Sequence, residues 1–517
     1  MPSIGVKKAL YTCCPDFLHP ILNRIEKSEI GYRLAKGVFW SMAGAVISRG
    51  LMLAAWVLVA RMLGKTGYGE LGMIQSTVGM FGVFAGFGLG LTTTKHVAEF
   101  RRSDPERAGR IISLSWLVAM ATGGMMALGL LVFAPWFAEH TINALHLAGV
   151  LRIGALILFI NTLNGAQTGA LSGFEAFKAI AYVNLLVGLI SFPILVGGAY
   201  FGGLTGAVWA LAVNLCFNWL LNHMALRNEA RRFRVPLTFR NSGRELSVLW
   251  RFSLPAVLSG AMVGPVNWAC NATLVNQPNG YNEMGIFTAA HVFQNLLIFA
   301  SGMLNAPLMS MISNAGTNAS DKLGTVNMLS SWILGVMVAI PLLCFPEIAQ
   351  ALFGSDFDTR SFTVTFSIVV FYTSIIMFKA GLARVLAANS LLWWGFFSNT
   401  IWAIILIPSA VYLVRWGAPG LAASFTIAYI LNTVILVPLY YSRNLVPKGT
   451  LVSVESAFIW IVMVGLVFLN LADVALRFRG IVFFPSLLVV AVAFGRLLKS
   501  NTLPSNKPGP STGEQCK

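Results

Sequence analysis

A full charge stands inside the first apolar segment of this chain, and any chemistry must start from it. Arg49 lies 13 residues from both Lys36 and Met62. At 1.5 Å per residue that is roughly 20 Å to either end, too deep for the head to reach water along a lipid-facing helix. Such an arginine faces protein or a hydrated space, where it binds an anion, works a gate or packs between helices. Polar side chains elsewhere also fall in stripes at helical spacing. Ser41, Ser48, Arg49 and Trp56 share a face in the first segment, and Asn161, Asn164, Thr168 and Ser172 in the fourth. Asn214, Asn218 and Asn222 do so in the sixth, Asn267 and Asn271 in the seventh, and His291, Asn295 and Asn305 in the eighth. One asparagine alone reads as an interhelical hydrogen bond. Several stripes across both halves fit a hydrated cavity that meets sugar hydroxyls, with Asn161 and Asn164 as candidate contacts.

All 19 Asp and Glu lie in loops, in tails or near segment ends. A carrier of organic cations needs a carboxylate within the membrane to hold its cargo or a coupling ion. Here the deep charge is positive, and Arg251, Lys379 and Arg384 add basic groups near segment ends. An anionic substrate is therefore expected, and the planar guanidinium fork suits phosphate. Excess basic residues on the cytoplasmic side are ordinary in membrane proteins, which gives Lys379 and Arg384 a second explanation. His96 and His291 lie near or within apolar segments and are candidates for proton coupling, with a structural role as the alternative. The six cysteines show no CxxC spacing and no metal-ligand pattern with histidine, so neither a metal nor a cofactor is expected.

The elements that position these residues are membrane-spanning helices. The chain is 56% hydrophobic and 11% charged, against ~25% charged for soluble domains. Its net charge of +17 would suggest nucleic acid in a soluble protein, but cytoplasmic loops explain it here, and no nucleic-acid partner is expected. About fourteen segments reach the ~20 residues that a crossing needs. Lys and Arg concentrate in both tails and in loops 95–110, 173–178, 227–251, 311–324, 379–390 and 442–450, which places both termini in the cytoplasm. Residues 1–35 lack the apolar run of a signal peptide. Phe17, Leu18, Ile21, Leu22 and Ile25 instead share one face of a short interfacial helix.

The sequence repeats itself. YGELG at 68–72 returns as YNEMG at 281–285, SW at 115–116 as SW at 331–332, and APWFAE at 134–139 as FPEIAQ at 345–350. Gly203-Leu-Thr-Gly206 matches Gly417-Ala-Pro-Gly420, and the offset stays at roughly 211–216 residues throughout. Six segments separate the copies, so they share one orientation. The expected fold is an all-α polytopic membrane protein with two parallel-repeat six-helix lobes around a central cavity, plus about two extra C-terminal helices. The expected divisions are a tail at 1–35, a first lobe at 36–226, a basic linker at 227–248, a second lobe at 249–441, extra helices at 442–498 and a tail at 499–517. Such lobes suit alternating access. Loops facing outside are too short for an external catalytic domain, which argues against a membrane glycosyltransferase such as a polymerase or ligase.

Four stretches, WSMAGAVISRG, VARMLGKTGYGELG, GFGLGLTTTKHVAEF and RRSDPERAGR, resemble the polysaccharide transporter or O-antigen flippase family. That family sits in the superfamily of multidrug and toxin extruders and the lipid II flippase. The resemblance is best over residues 36–140, weaker through 441 and absent in the tails. It implies a bacterial inner-membrane flippase, not an enzyme, that moves undecaprenyl-pyrophosphate-linked oligosaccharides for O-antigen, exopolysaccharide or capsule synthesis. Its implied partners are that anionic lipid-linked sugar, membrane lipids, and a polysaccharide polymerase with other export components. Arg49 would bind the pyrophosphate, supported by Arg251, Lys379 and Arg384. The family is commonly built on 12 spans. About fourteen here is similar to the lipid II branch, so lipid II transport and drug or cation export remain alternatives.

Overall fold

The computed structural model describes residues 29–502 except 87, 240, 249–259, 306, 307, 309–311, 313–320, 390, 444 and 448, with side chains from Ser48. The short helix expected near residues 17–25, the tail after 502, and Arg251 lie outside the described residues. Backbone groups left unpaired in hydrocarbon cost several kcal/mol each, so segments this apolar must be helical. Among the described residues the chain is helical and carries no strand.

The first half holds α1 (Glu29–Gly86), α2 (Leu89–Phe100), α3 (Pro105–Trp136), α4 (Ala148–Gly173) and α5 (Phe177–Arg232). The second half holds α6 (Val263–Val275), α7 (Gly280–Gly302), α8 (Asp321–Cys344), the short α9 (Pro346–Phe353), α10 (Arg360–Ala388), α11 (Leu392–Leu413) and α12 (Gly417–Ser442). A final hairpin follows, α13 (Val454–Leu471) and α14 (Leu476–Thr502). Ten described stretches are long and apolar enough to cross a membrane. Three of them are long enough for two crossings, because a glycine turns the chain without ending the helical run. Gly64 (φ 65°) does this in α1, Gly203 (φ 53°) in α5 and Gly417 (φ 70°) between α11 and α12. Positive φ strains any residue with a Cβ, which is why glycine occupies all three turns. Gly203 and Gly417 also correspond in the sequence repeat. The end of the bundle bearing these turns is called the glycine end below, and the opposite end, with Arg101, Arg107 and Arg110, the basic end.

Helices of each half pack on one another, and α1 crosses between halves to pack on α6 and α7. In membranes such contacts are driven by close van der Waals packing, which small residues permit. At the glycine end α1 and α7 come backbone to backbone. A Cβ on Gly69 would overlap the Tyr281 carbonyl, and one on Gly285 would overlap the Lys65 carbonyl. Polar bonds frame this crossing. Arg61 donates to the carbonyls of Ala351 (2.6 Å) and Leu352 (2.7 Å) at the end of α9. Thr66 meets Asn282 at 2.6 Å, and Tyr281 donates to the Ile142 carbonyl at 2.9 Å. The α13–α14 hairpin docks on α8 and α10. There Trp332 stacks on Trp460 and meets Phe494 edge-on. Arg479, 7% exposed, pairs with Glu347 and donates to Asn470 Oδ1 at 2.8 Å.

Candidate functional site

Between the halves lies a cavity of about 960 Å³, near the top of the ~300–1,000 Å³ range of small-ligand sites. The glycine-end crossing closes one end of it, where Tyr68, Gly72 and Met284 form the wall. Tyr68 is itself packed against the rings of Phe353 and Phe357. The opposite end is bounded by Arg49 and Phe299. The helical phase read from the sequence thus brings Arg49 to a cavity wall, where its guanidinium lies 4.1 Å from the centre of the Phe299 ring. This cation–π contact crosses from α1 to α7 and leaves the guanidinium edge available to a ligand. No Asp or Glu lines the cavity among the described residues, so Arg49 is its one formal charge. The remaining polar lining is neutral and includes Gln75, Ser76, Asn267, Asn271, Thr288 and Asn295.

His291 faces the same cavity from mid-α7. Its Nδ1 lies 2.8 Å from the Phe287 carbonyl and its Nε2 2.9 Å from the Tyr372 hydroxyl. A carbonyl only accepts, so Nδ1 carries the proton. In the neutral ring Nε2 then accepts from Tyr372. Protonation would reverse the Tyr372 bond and turn its hydroxyl toward a new acceptor. Tyr372 joins the site through this bond.

A second cavity, about 640 Å³, opens within the second half and shares Ile298, Ile376 and Tyr429 with the first. Lys379 and Arg384 line it. Lys379 Nζ donates to Asn432 Oδ1 at 2.5 Å and stands 5.6 Å from the Tyr429 ring centre. Arg384 is 4% exposed. Its Nε donates to Asn327 Oδ1 (2.8 Å), its Nη1 to Asn305 Oδ1 (2.8 Å) and Ser331 Oγ (3.0 Å), and its Nη2 to the Asn327 carbonyl (2.8 Å) and Ser331 Oγ (3.0 Å). All five guanidinium donors are thereby engaged by neutral oxygens. Arg384 contributes its field to this cavity, while its fork is occupied by the protein.

The asparagines of α4 lie elsewhere. Asn164 is buried, donates to the Leu215 carbonyl at 3.2 Å and accepts from Asn222 Nδ2 at 3.5 Å, tying α4 to α5. Asn161 is exposed on α4, and neither residue lines the two cavities. His96 sits near the end of α2 with Nδ1 3.4 Å from Glu99, away from both cavities. Burial holds its imidazole below the ordinary histidine range, against the opposing pull of Glu99. Arg61 went unnoticed in the sequence, although a basic residue on the side where few occur was a signal.

Residues 34–313 match the family described as polysaccharide biosynthesis protein. The EPS I polysaccharide export inner membrane protein EpsE of Ralstonia nicotianae is 22% identical over 404 residues, covering 75% of this chain and 89% of that protein. The lipid III flippase of Escherichia coli is 23% identical over 260 residues, 49% of this chain and 61% of that protein. Among solved structures, the lipid II flippase MurJ in an inward closed conformation matches with a TM-score of 0.64 at 16% identity, covering 89% of this chain and all (100%) of that one. An inward-facing multidrug resistance MATE family transporter matches at 0.59 with 17% identity, covering 77% of this chain and 98% of its own. These structural likenesses concern the fold. The family match spans more than half of the sequence, and the chain belongs to the polysaccharide biosynthesis protein family, on a fold shared with transporters of the MOP superfamily.

Proposed function

We propose that this chain flips undecaprenyl-pyrophosphate-linked oligosaccharide repeat units across a bacterial inner membrane, as a transporter rather than an enzyme. The observation that carries this reading is the cavity's charge pattern among the described residues: one arginine, no carboxylate and a neutral polar lining. A cation would find nothing to pair with there, whereas a pyrophosphate would meet a guanidinium in a low-dielectric setting that strengthens charge-assisted bonds. Lys379 and Arg384, in the adjoining cavity, add positive potential along the same route. The names of the bacterial relatives, a polysaccharide export protein and a lipid III flippase, support a lipid-linked glycan as cargo. Transport proceeds by alternating access of the two halves, with the basic end and both termini in the cytoplasm. In this arrangement the halves meet at the periplasmic side.

The test is Arg49 itself. Arg49→Lys keeps the charge but loses the bidentate fork, so export should fall while membrane protein level holds. Arg49→Ala should lose export more completely at normal level, because removing a deep charge eases insertion. Normal export by a normally abundant Ala variant would remove Arg49 from the mechanism.

A further inference from the structure

Among the described residues, three of the buried polar atoms without a hydrogen-bond partner belong to residues lining the main cavity. They are Asn267 Oδ1 and Asn271 Oδ1 on α6 and Thr288 Oγ1 on α7. Leaving a buried acceptor unmatched is costly, so three in one wall call for an explanation. Neighbouring bonds hold this wall in place. Asn271 Nδ2 donates to Ser76 Oγ at 2.9 Å, which ties its amide to α1. Trp268 Nε1, between the two asparagines, donates to Thr77 Oγ1 at 3.1 Å, and Thr77 in turn donates to the Met73 carbonyl at 2.9 Å. Thr288 is pressed against Gly72, where any Cβ would overlap its hydroxyl. These groups are thus held in place by a contact of α6 and α7 with α1 at the cavity wall.

We propose that Asn267, Asn271 and Thr288 form a subsite that reads the hydroxyl groups of the glycan. The inference rests on the pyrophosphate reading above and gives the cavity a direction. Thr288 and Phe299 lie eleven residues apart on α7, roughly 16 Å along the axis, with Arg49 at the Phe299 end. The anionic group sits at that end, and the uncharged, donor-rich part of the same molecule reaches toward the glycine end. Orphaned oxygens ask for donors, and sugar hydroxyls supply them at many positions. A carboxylate placed there would meet two amide oxygens that cannot donate to it, leaving only the Thr288 hydroxyl as a partner. Sugar identity is read at α6 and α7, while anchoring depends on Arg49.

Two probes separate the subsite from the anchor: polyprenyl pyrophosphate bare, and the same lipid carrying a neutral disaccharide. Both are titrated against the intact protein in nanodiscs. Asn271→Leu combined with Thr288→Val removes the acceptors at similar volume. Affinity for the glycosylated lipid should drop about tenfold, as for two lost hydrogen bonds, with the bare lipid unchanged. Asn271→Gln, which restores a carbonyl oxygen, should recover part of the loss. Equal weakening for both lipids, or none for the glycosylated one, overturns the subsite while the pyrophosphate reading stands. Failure of the wild-type protein to bind either lipid overturns that reading and the subsite together.

Discussion

Arg61 holds the two halves together at the glycine end, and its contribution can be worked from the structure. Its Nε and Nη2 donate to two carbonyls at the end of α9, at 2.7 and 2.6 Å. A hydrogen bond from a charged donor contributes ~1.5–3 kcal/mol when well buried, and an exposed side chain such as this gives less. Together the two bonds favour the closed arrangement by about 2 kcal/mol, inside the ~1–3 kcal/mol span of ordinary conformational couplings. Arg61→Ala should therefore raise the fraction open at this end roughly 30-fold, a value within the ~5–150-fold range of such couplings. The assay uses a single cysteine at 288, packed on Gly72 at the contact of α7 with α1, in a background where the native cysteines are replaced. A membrane-impermeant maleimide added on the glycine-end side reacts only when the halves part, so its rate follows the open fraction. Arg61→Lys should fall between, since one ammonium satisfies the two carbonyls less well. A second cysteine at 55, fully buried, reports general unfolding and should stay unreactive. An unchanged labelling rate at 288 in the Ala variant would refute the latch.

Two further outcomes follow from the second half. Arg384→Ala strands the oxygens of Asn327, Asn305 and Ser331 and should lower membrane protein level before it touches ligand affinity, read by comparing abundance with pyrophosphate-lipid binding. His291→Gln should abolish the response of flipping to an imposed pH gradient in proteoliposomes and leave binding of bare polyprenyl pyrophosphate intact, since Arg49 lies elsewhere on the cavity wall.

Arg49 was legible in the sequence because a charge inside an apolar run has few physical outlets, and its helical phase pointed to a cavity. The matching segments YGELG and YNEMG are the ones that cross at the glycine end. Asn164 shows where such reading stops. Spacing tells which residues share a face, but not whether that face meets water or another helix, and Asn164 meets α5. Arg384 shows the same limit for charge, because only the three-dimensional arrangement reveals that Asn327, Asn305 and Ser331 occupy its fork. Arg61 is a third case: its partners are backbone carbonyls some 290 residues away, which carry no signature in side-chain pattern.

The docking of the last hairpin has a mechanical consequence. Trp332, Trp460 and Phe494 interlock, and Arg479 with Glu347 and Asn470 rivets the turn, so α13 and α14 are carried wherever α8 and α10 go. Their outward faces, with Phe458, Ile461, Phe468, Phe484 and Leu488 exposed, are coated by hydrocarbon in the bilayer. Any tilt of the second half must therefore drag this apolar fin through lipid. A bilayer thicker or thinner than the fin resists that tilt by fractions of a kcal/mol per Å of mismatch. Under the alternating access proposed above, membrane thickness and viscosity would thus act as a load on the second half, applied through a hairpin that lines neither cavity.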